Sequence, residues 1–179
     1  TSTENSEYKV AGRPHPYECG LLYLRRIFSQ PATLKIEGAK MTANKVKGLG
    51  TKEQPWQLTT PSGSSEYMMY RDEAADPPLL VCVVGKTVLH YDLRCIEDLH
   101  AMLKEQGDWM PLGSADEQKP AAEGTVEAWG RSPKNPVKGW YGLKKGLRGR
   151  FGMYLPPLLE ALGLAEVEHN PKNNRMRAI

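Results

Sequence analysis

The sequence predicts an α+β fold: a small antiparallel sheet with a helix packed across it, followed by a helical region ending in a β-hairpin. Three features carry this expectation. Short runs rich in β-branched and aromatic residues alternate with turn residues from Pro55 to Tyr91. A helical apolar spacing follows between Asp92 and Gly107. After Gly163, two alternating runs flank a polar loop.

In order along the chain, Pro55–Thr60 reads as a short extended segment, Pro61–Ser65 as a turn and Glu66–Arg71 as a strand. Leu79–Val84 is the most apolar run and reads as a buried central strand. Gly85-Lys86 suits a two-residue hairpin turn, with Gly supplying a positive φ, and Thr87–Tyr91 returns as the partner. Asp92 is placed to cap a helix whose Ile96, Leu99 and Leu103 share one face and whose stop is Gly107. Ser114–Glu117 has the capping-box pattern, and Ala121–Trp129 reads as one helix starting near Pro120. Trp140–Phe151 has helical spacing at Tyr141, Leu143 and Leu147, weakened by Gly142, Gly146 and Gly149. Pro156-Pro157 fits the first turn of a last helix closed by Gly163. Leu164–His169 and Arg175–Ile179 then form the two arms of a hairpin around a polar loop, Asn170–Asn174. The expected organisation is 50–113 for the sheet and its helix and 114–179 for the helical region and hairpin.

Residues 1–49 precede this pattern. They carry Pro14, Pro16 and Pro31 and no sustained period. Two readings apply: a flexible N-terminal arm, or an upstream leader read through before a start at Met41, since Lys35–Lys40 can be encoded by a purine-rich tract.

At 179 residues the chain can bury one good core or two small ones. No run approaches eighteen apolar residues, and no basic segment leads into an apolar one at the start, so neither a membrane span nor a signal peptide is expected. Cys19, Cys82 and Cys95 are far apart, which argues against a disulfide framework or a zinc knuckle and favours a reducing cytoplasm. Neither a metal nor a cofactor is expected.

Gly85-Lys86-Thr87 imitates the end of a phosphate-binding loop, but position 80 is Leu where that motif needs Gly, and a strand follows. His90 and His100 lie near Asp92, Cys95 and Asp98 without a metal-site spacing, and read as packing residues. No nucleophile elbow and no dinucleotide fingerprint is present.

The charge distribution is more informative than the net +3. From Asp92 to Glu127 there are nine acidic residues against Arg94, Lys104 and Lys119. From Arg131 to Arg150 there are seven basic residues and no acid. Cations at that density neutralise phosphates, and the interleaved glycines would let backbone amides approach an anion. The candidate phosphate or nucleic-acid contacts are Arg131, Lys138, Lys144, Lys145, Arg148 and Arg150, with Trp140 and Tyr141 as stacking residues.

The apolar helix ending near Leu164, the strand with Ala165, Val167 and His169, and the basic strand with Met176 and Ala178 together resemble the recognition-helix end and wing of winged-helix domains. The resemblance covers 115–179 and implies DNA binding, with Lys172, Arg175 and Arg177 of the wing on phosphates or in the minor groove. Residues 50–179 as a whole resemble a family of small bacterial proteins of unknown function. The residues that carry this likeness are Gly50–Trp56, Ser65–Asp72, Gly107–Trp109, Gly124–Arg131 and Gly139–Gly142. That resemblance implies no activity.

The expected function is therefore that of a non-enzymatic nucleic-acid-binding protein using the basic Gly-rich loop and the wing. One alternative is an enzyme or binding protein for a phosphorylated small molecule, with the basic loop, Trp140 and Tyr141 facing the Tyr67–Arg71 strand across a pocket. Another is a protein-interaction module in which Trp56, Trp109 and Trp129 pack.

Overall fold

The structure, a computed structural model, describes residues 46–179. The readings for residues 1–45, the arm or leader and Cys19 included, lie outside the described residues. Immediately after them, Lys47 bridges to Gln57, and the Leu49 and Gly50 amides donate to the Gln54 carbonyl.

Four strands form an antiparallel meander in the order β1 (Trp56–Thr59), β2 (Glu66–Asp72), β3 (Leu79–Val84) and β4 (Thr87–Asp92). Alternation sets the register. Trp56 pairs with Met69, Met69 with Cys82 and Cys82 with Leu89, and all four are buried. Gly85 supplies the positive φ of the β3–β4 turn.

Helix α1 (Cys95–Gln106) buries Ile96, Leu99 and Leu103 and stops at Gly107, whose φ is 70°. It starts later than expected. Asp92 ends β4 and accepts the Arg94 amide in a turn, so it does not cap the helix.

The C-terminal half departs further from expectation. The expected helix over Ala121–Trp129 is only α2 (Val126–Trp129), capped by Thr125, whose Oγ1 accepts the Ala128 amide at 3.1 Å. Ser114–Glu117 starts no helix, because its carboxylates are drawn to the basic loop. Trp140–Arg150 is a loop rather than a helix. Gly142 and Gly149 sit where a Cβ would lie 2.6 Å from the Arg148 Cα and from the Ala115 carbonyl oxygen respectively, so they mark close backbone approaches.

Helix α3 (Phe151–Ala161) begins more than a turn before Pro156-Pro157, which lie inside it. The two prolines remove ladder donors to the Gly152 and Met153 carbonyls. Burial of Phe151, Leu155, Leu158 and Leu159 offsets that loss.

The terminal hairpin, β6 (Ala165–Val167) and β7 (Arg175–Ala178), forms as expected. A two-residue strand, β5 (Met110–Pro111), joins it unforeseen, giving a second sheet in the order β5-β7-β6. The architecture is α+β. The short α2 and the coil from 130 to 150 do not supply the helices of a winged-helix domain. No described helix is long and apolar enough to cross a membrane.

Candidate functional site

The basic loop is built on a buried carboxylate. Glu127, 1% exposed on α2, accepts the Gly152 amide at 2.7 Å and the Arg150 amide at 3.1 Å, and pairs with the Arg131 guanidinium. Burial pushes its carboxyl above the ordinary glutamate value, while Arg131 and the two amides pull the other way. Glu127 therefore caps α3 and fixes both ends of the loop. Arg131 also donates to the carbonyls of Ala115 and Lys119 and lies 4.3 Å over the Trp140 ring.

The upstream acidic segment completes the anchorage. Asp116 accepts Arg150 Nε at 2.7 Å, and Glu117 accepts the Arg148 amide at 3.0 Å. Hydrogen bonding to Arg150 holds the Asp116 carboxyl below its ordinary value. On the other side, the Leu143 amide donates to the His90 carbonyl, and the Asp92 amide to the Tyr141 carbonyl, which ties the loop to β4. Inside the loop, buried Asn135 donates to the carbonyls of Trp129 and Gly139 and accepts the amides of Val137 and Gly139.

The candidate residues fall into two groups. Lys138, Lys144, Lys145 and Lys172 are exposed and have no carboxylate partner among the described residues, as is also true of Lys134. Lys138 sits at φ 55°. The arginines are largely committed: Arg131 to Glu127, Arg150 to Asp116, Arg175 to Glu168 and Arg177 to Glu166. Arg175 and Arg177 also lie 5.5 and 4.8 Å from the Trp109 ring. Arg148 is half-buried, with Nε enclosed and without a hydrogen-bond partner.

Two expectations need correction. Tyr141 is fully buried, with its ring between Trp129 at 5.3 Å and Phe151 at 5.5 Å and its hydroxyl on Asp98 at 2.7 Å, so it offers no face to a base. Trp140 is half-buried, with Arg131 over its ring. Of the loop glycines, Gly142 and Gly149 are packing positions and only Gly146 is exposed.

Sequence reasoning misses Glu127, Asp116, Glu117 and Asn135 as site-builders. Asn135, lodged between Lys134 and Pro136, carries a turn signal that could have flagged it. The loop lines an open cleft against β3 and β4, and none of Tyr67–Arg71 is in the lining of that cleft. No described group of three His, Cys, Asp or Glu side chains is arranged to hold a metal.

Residues 48–179 match a family described as a family of unknown function (DUF6855), and the chain belongs to that family. Comparison with curated proteins and with solved structures gives no match.

Proposed function

We propose that this member of a family of unknown function is a non-enzymatic protein that contacts nucleic acid through phosphates, without reading sequence, using Lys138, Lys144 and Lys145 of the 131–150 loop, with Lys172 of the hairpin loop as a further contact. One observation carries the reading: Lys138, Lys144 and Lys145 are exposed without a carboxylate partner among the described residues, on a loop anchored by Glu127, Asp116 and Glu117. A loop already held in place loses little conformational entropy when a polyanion arrives. Arg131, Arg150, Arg175 and Arg177 hold the loop and hairpin rather than supply the principal contacts.

Fluorescence anisotropy with labelled duplex DNA and single-stranded RNA of unrelated sequences tests this. Within each kind of nucleic acid, all sequences should bind alike. Neutralising about three phosphates on duplex DNA gives a log–log salt slope of about −2.7, a loss of about 40-fold for a fourfold rise in salt. Absent or salt-independent binding would end the proposal.

A further inference from the structure

Among the described residues, part of the β4 edge of the first sheet is left bare. At the opposite edge, Lys47 bridges to Gln57 of β1. At the β4 edge, the Asp92 amide donates to the Tyr141 carbonyl and the Leu143 amide to the His90 carbonyl, each at 2.9 Å. Main-chain groups of alternate residues in a strand point to the same side, so those of Val88 point away from β3 with those of His90 and Asp92. The Val88 amide, the Val88 carbonyl and the His90 amide have no hydrogen-bond partner among the described residues. Bare groups in this arrangement are a template for another strand.

The side chains around this stretch indicate what fits it. Val88 is 37% exposed, and Leu143, bonded through its amide to His90, is 41% exposed. Lys86, in the turn before β4, and Lys144 and Lys145, after Leu143, are exposed and have no carboxylate partner among the described residues. Asp116 and Glu117 share a cleft with Thr87 and Leu89, but Asp116 is paired with Arg150 and Glu117 accepts the Arg148 amide. With Arg148 and Arg150 included, cations outnumber these two acids. Asp92 lies at the far end of β4, where the loop already pairs with the strand. A second copy is a poor occupant, since two β4 edges paired about a twofold axis would bring the lysines of both copies together. Phosphates would meet the lysines but leave the strand-like donors and acceptors and the two apolar side chains unused. An acidic peptide would use all of them.

We infer that this bare edge is a docking site for an extended acidic segment of a partner protein, added to the sheet as a strand alongside Val88, with apolar side chains against Val88 and Leu143 and carboxylates on Lys86, Lys144 and Lys145. Lys144 and Lys145 also belong to the proposed polyanion contact, so peptide and nucleic acid would compete. Pairing at Val88 does not depend on that reading.

The probe is an acetylated and amidated seven-residue peptide alternating glutamate and valine, titrated into the full chain, and its control carries lysine in place of glutamate. Amide hydrogen exchange, followed by ¹H–¹⁵N NMR, separates strand pairing from loose attraction. The Val88 and His90 amides should exchange rapidly in the free chain and become protected as the acidic peptide saturates, with no protection from the lysine peptide or from duplex DNA. Val88→Pro removes a donor that points away from β3, a place where an edge strand tolerates proline. It should weaken peptide binding about tenfold and leave DNA affinity unchanged. Lys86→Gln, outside the proposed DNA contact, should weaken the peptide about threefold. The exchange result on the native chain decides the matter even where proline disturbs the hairpin. No saturable binding, binding without protection at Val88 and His90, equal binding of the lysine peptide, or protection already present in the free chain at high concentration, the sign of a second copy on the edge, would each overturn the inference.

Discussion

Glu127 caps α3 from outside the helix, with its Oε2 accepting the Gly152 amide at 2.7 Å. The helix has no side-chain cap of its own, because its N-cap residue, Arg150, lies in the left-handed region at φ 64°. A carboxylate at this point satisfies orphan amides and complements the positive end of the helix dipole. Glu127→Ala should therefore lower unfolding free energy by about 3–5 kcal/mol, since it also leaves Arg131 unpaired in a largely enclosed site. Glu127→Gln, which keeps one acceptor, should cost less. Urea denaturation measures both.

Tyr141 should prove structural. Tyr141→Phe keeps the ring between Trp129 and Phe151 and loses only the bond to Asp98, which Arg94 continues to hold. The expected cost is about 1 kcal/mol in urea unfolding. Nucleic-acid affinity should be unchanged, since the hydroxyl is spent on Asp98.

Gly149→Ala tests how the loop is seated. A Cβ there meets the Ala115 carbonyl oxygen and the Glu117 amide nitrogen, each at 2.6 Å, and backbone cannot swing aside as a side chain can. The substitution should cost about 1–3 kcal/mol in urea unfolding. It should also broaden the amide NMR signals of residues 146–150, because the packing that fails is what holds the loop to the 115–117 segment.

The Asp116–Arg150 pair sets a pH dependence. Hydrogen bonding to Arg150 depresses the folded value of Asp116. Its contribution is therefore present above the ordinary aspartate value and is lost as pH falls through the folded value. The side-chain carboxyl of Asp116, followed by NMR, should titrate below an ordinary aspartate and move back up in Arg150→Gln. Added salt should narrow the difference, since the pair is solvent-accessible.

Much of the first sheet was readable because its signals are local. The Gly85-Lys86 turn and the β-branched Leu79–Val84 run define a hairpin without help from distant residues. The loop from 131 to 150 was legible as a charge pattern but not as a surface. Whether an arginine is free depends on which carboxylate reaches it, and Asp116 and Glu127 reach Arg150 and Arg131 only through the fold. The same limit hid the role of Glu127, which reads in sequence as one more acid on a helix face. It also misplaced α3, whose early start depends on that distant cap and on Phe151 packing against Tyr141.

The salt dependence of duplex DNA binding tests the central claim most directly, comparing the native chain with Lys144→Gln/Lys145→Gln. Removing one lysine–phosphate pairing should flatten the log–log slope by about 0.9, so the slope of the double variant should be shallower by about 1.8 while its urea unfolding stays unchanged. A slope identical to that of the native chain, or binding that does not respond to salt, would contradict the account.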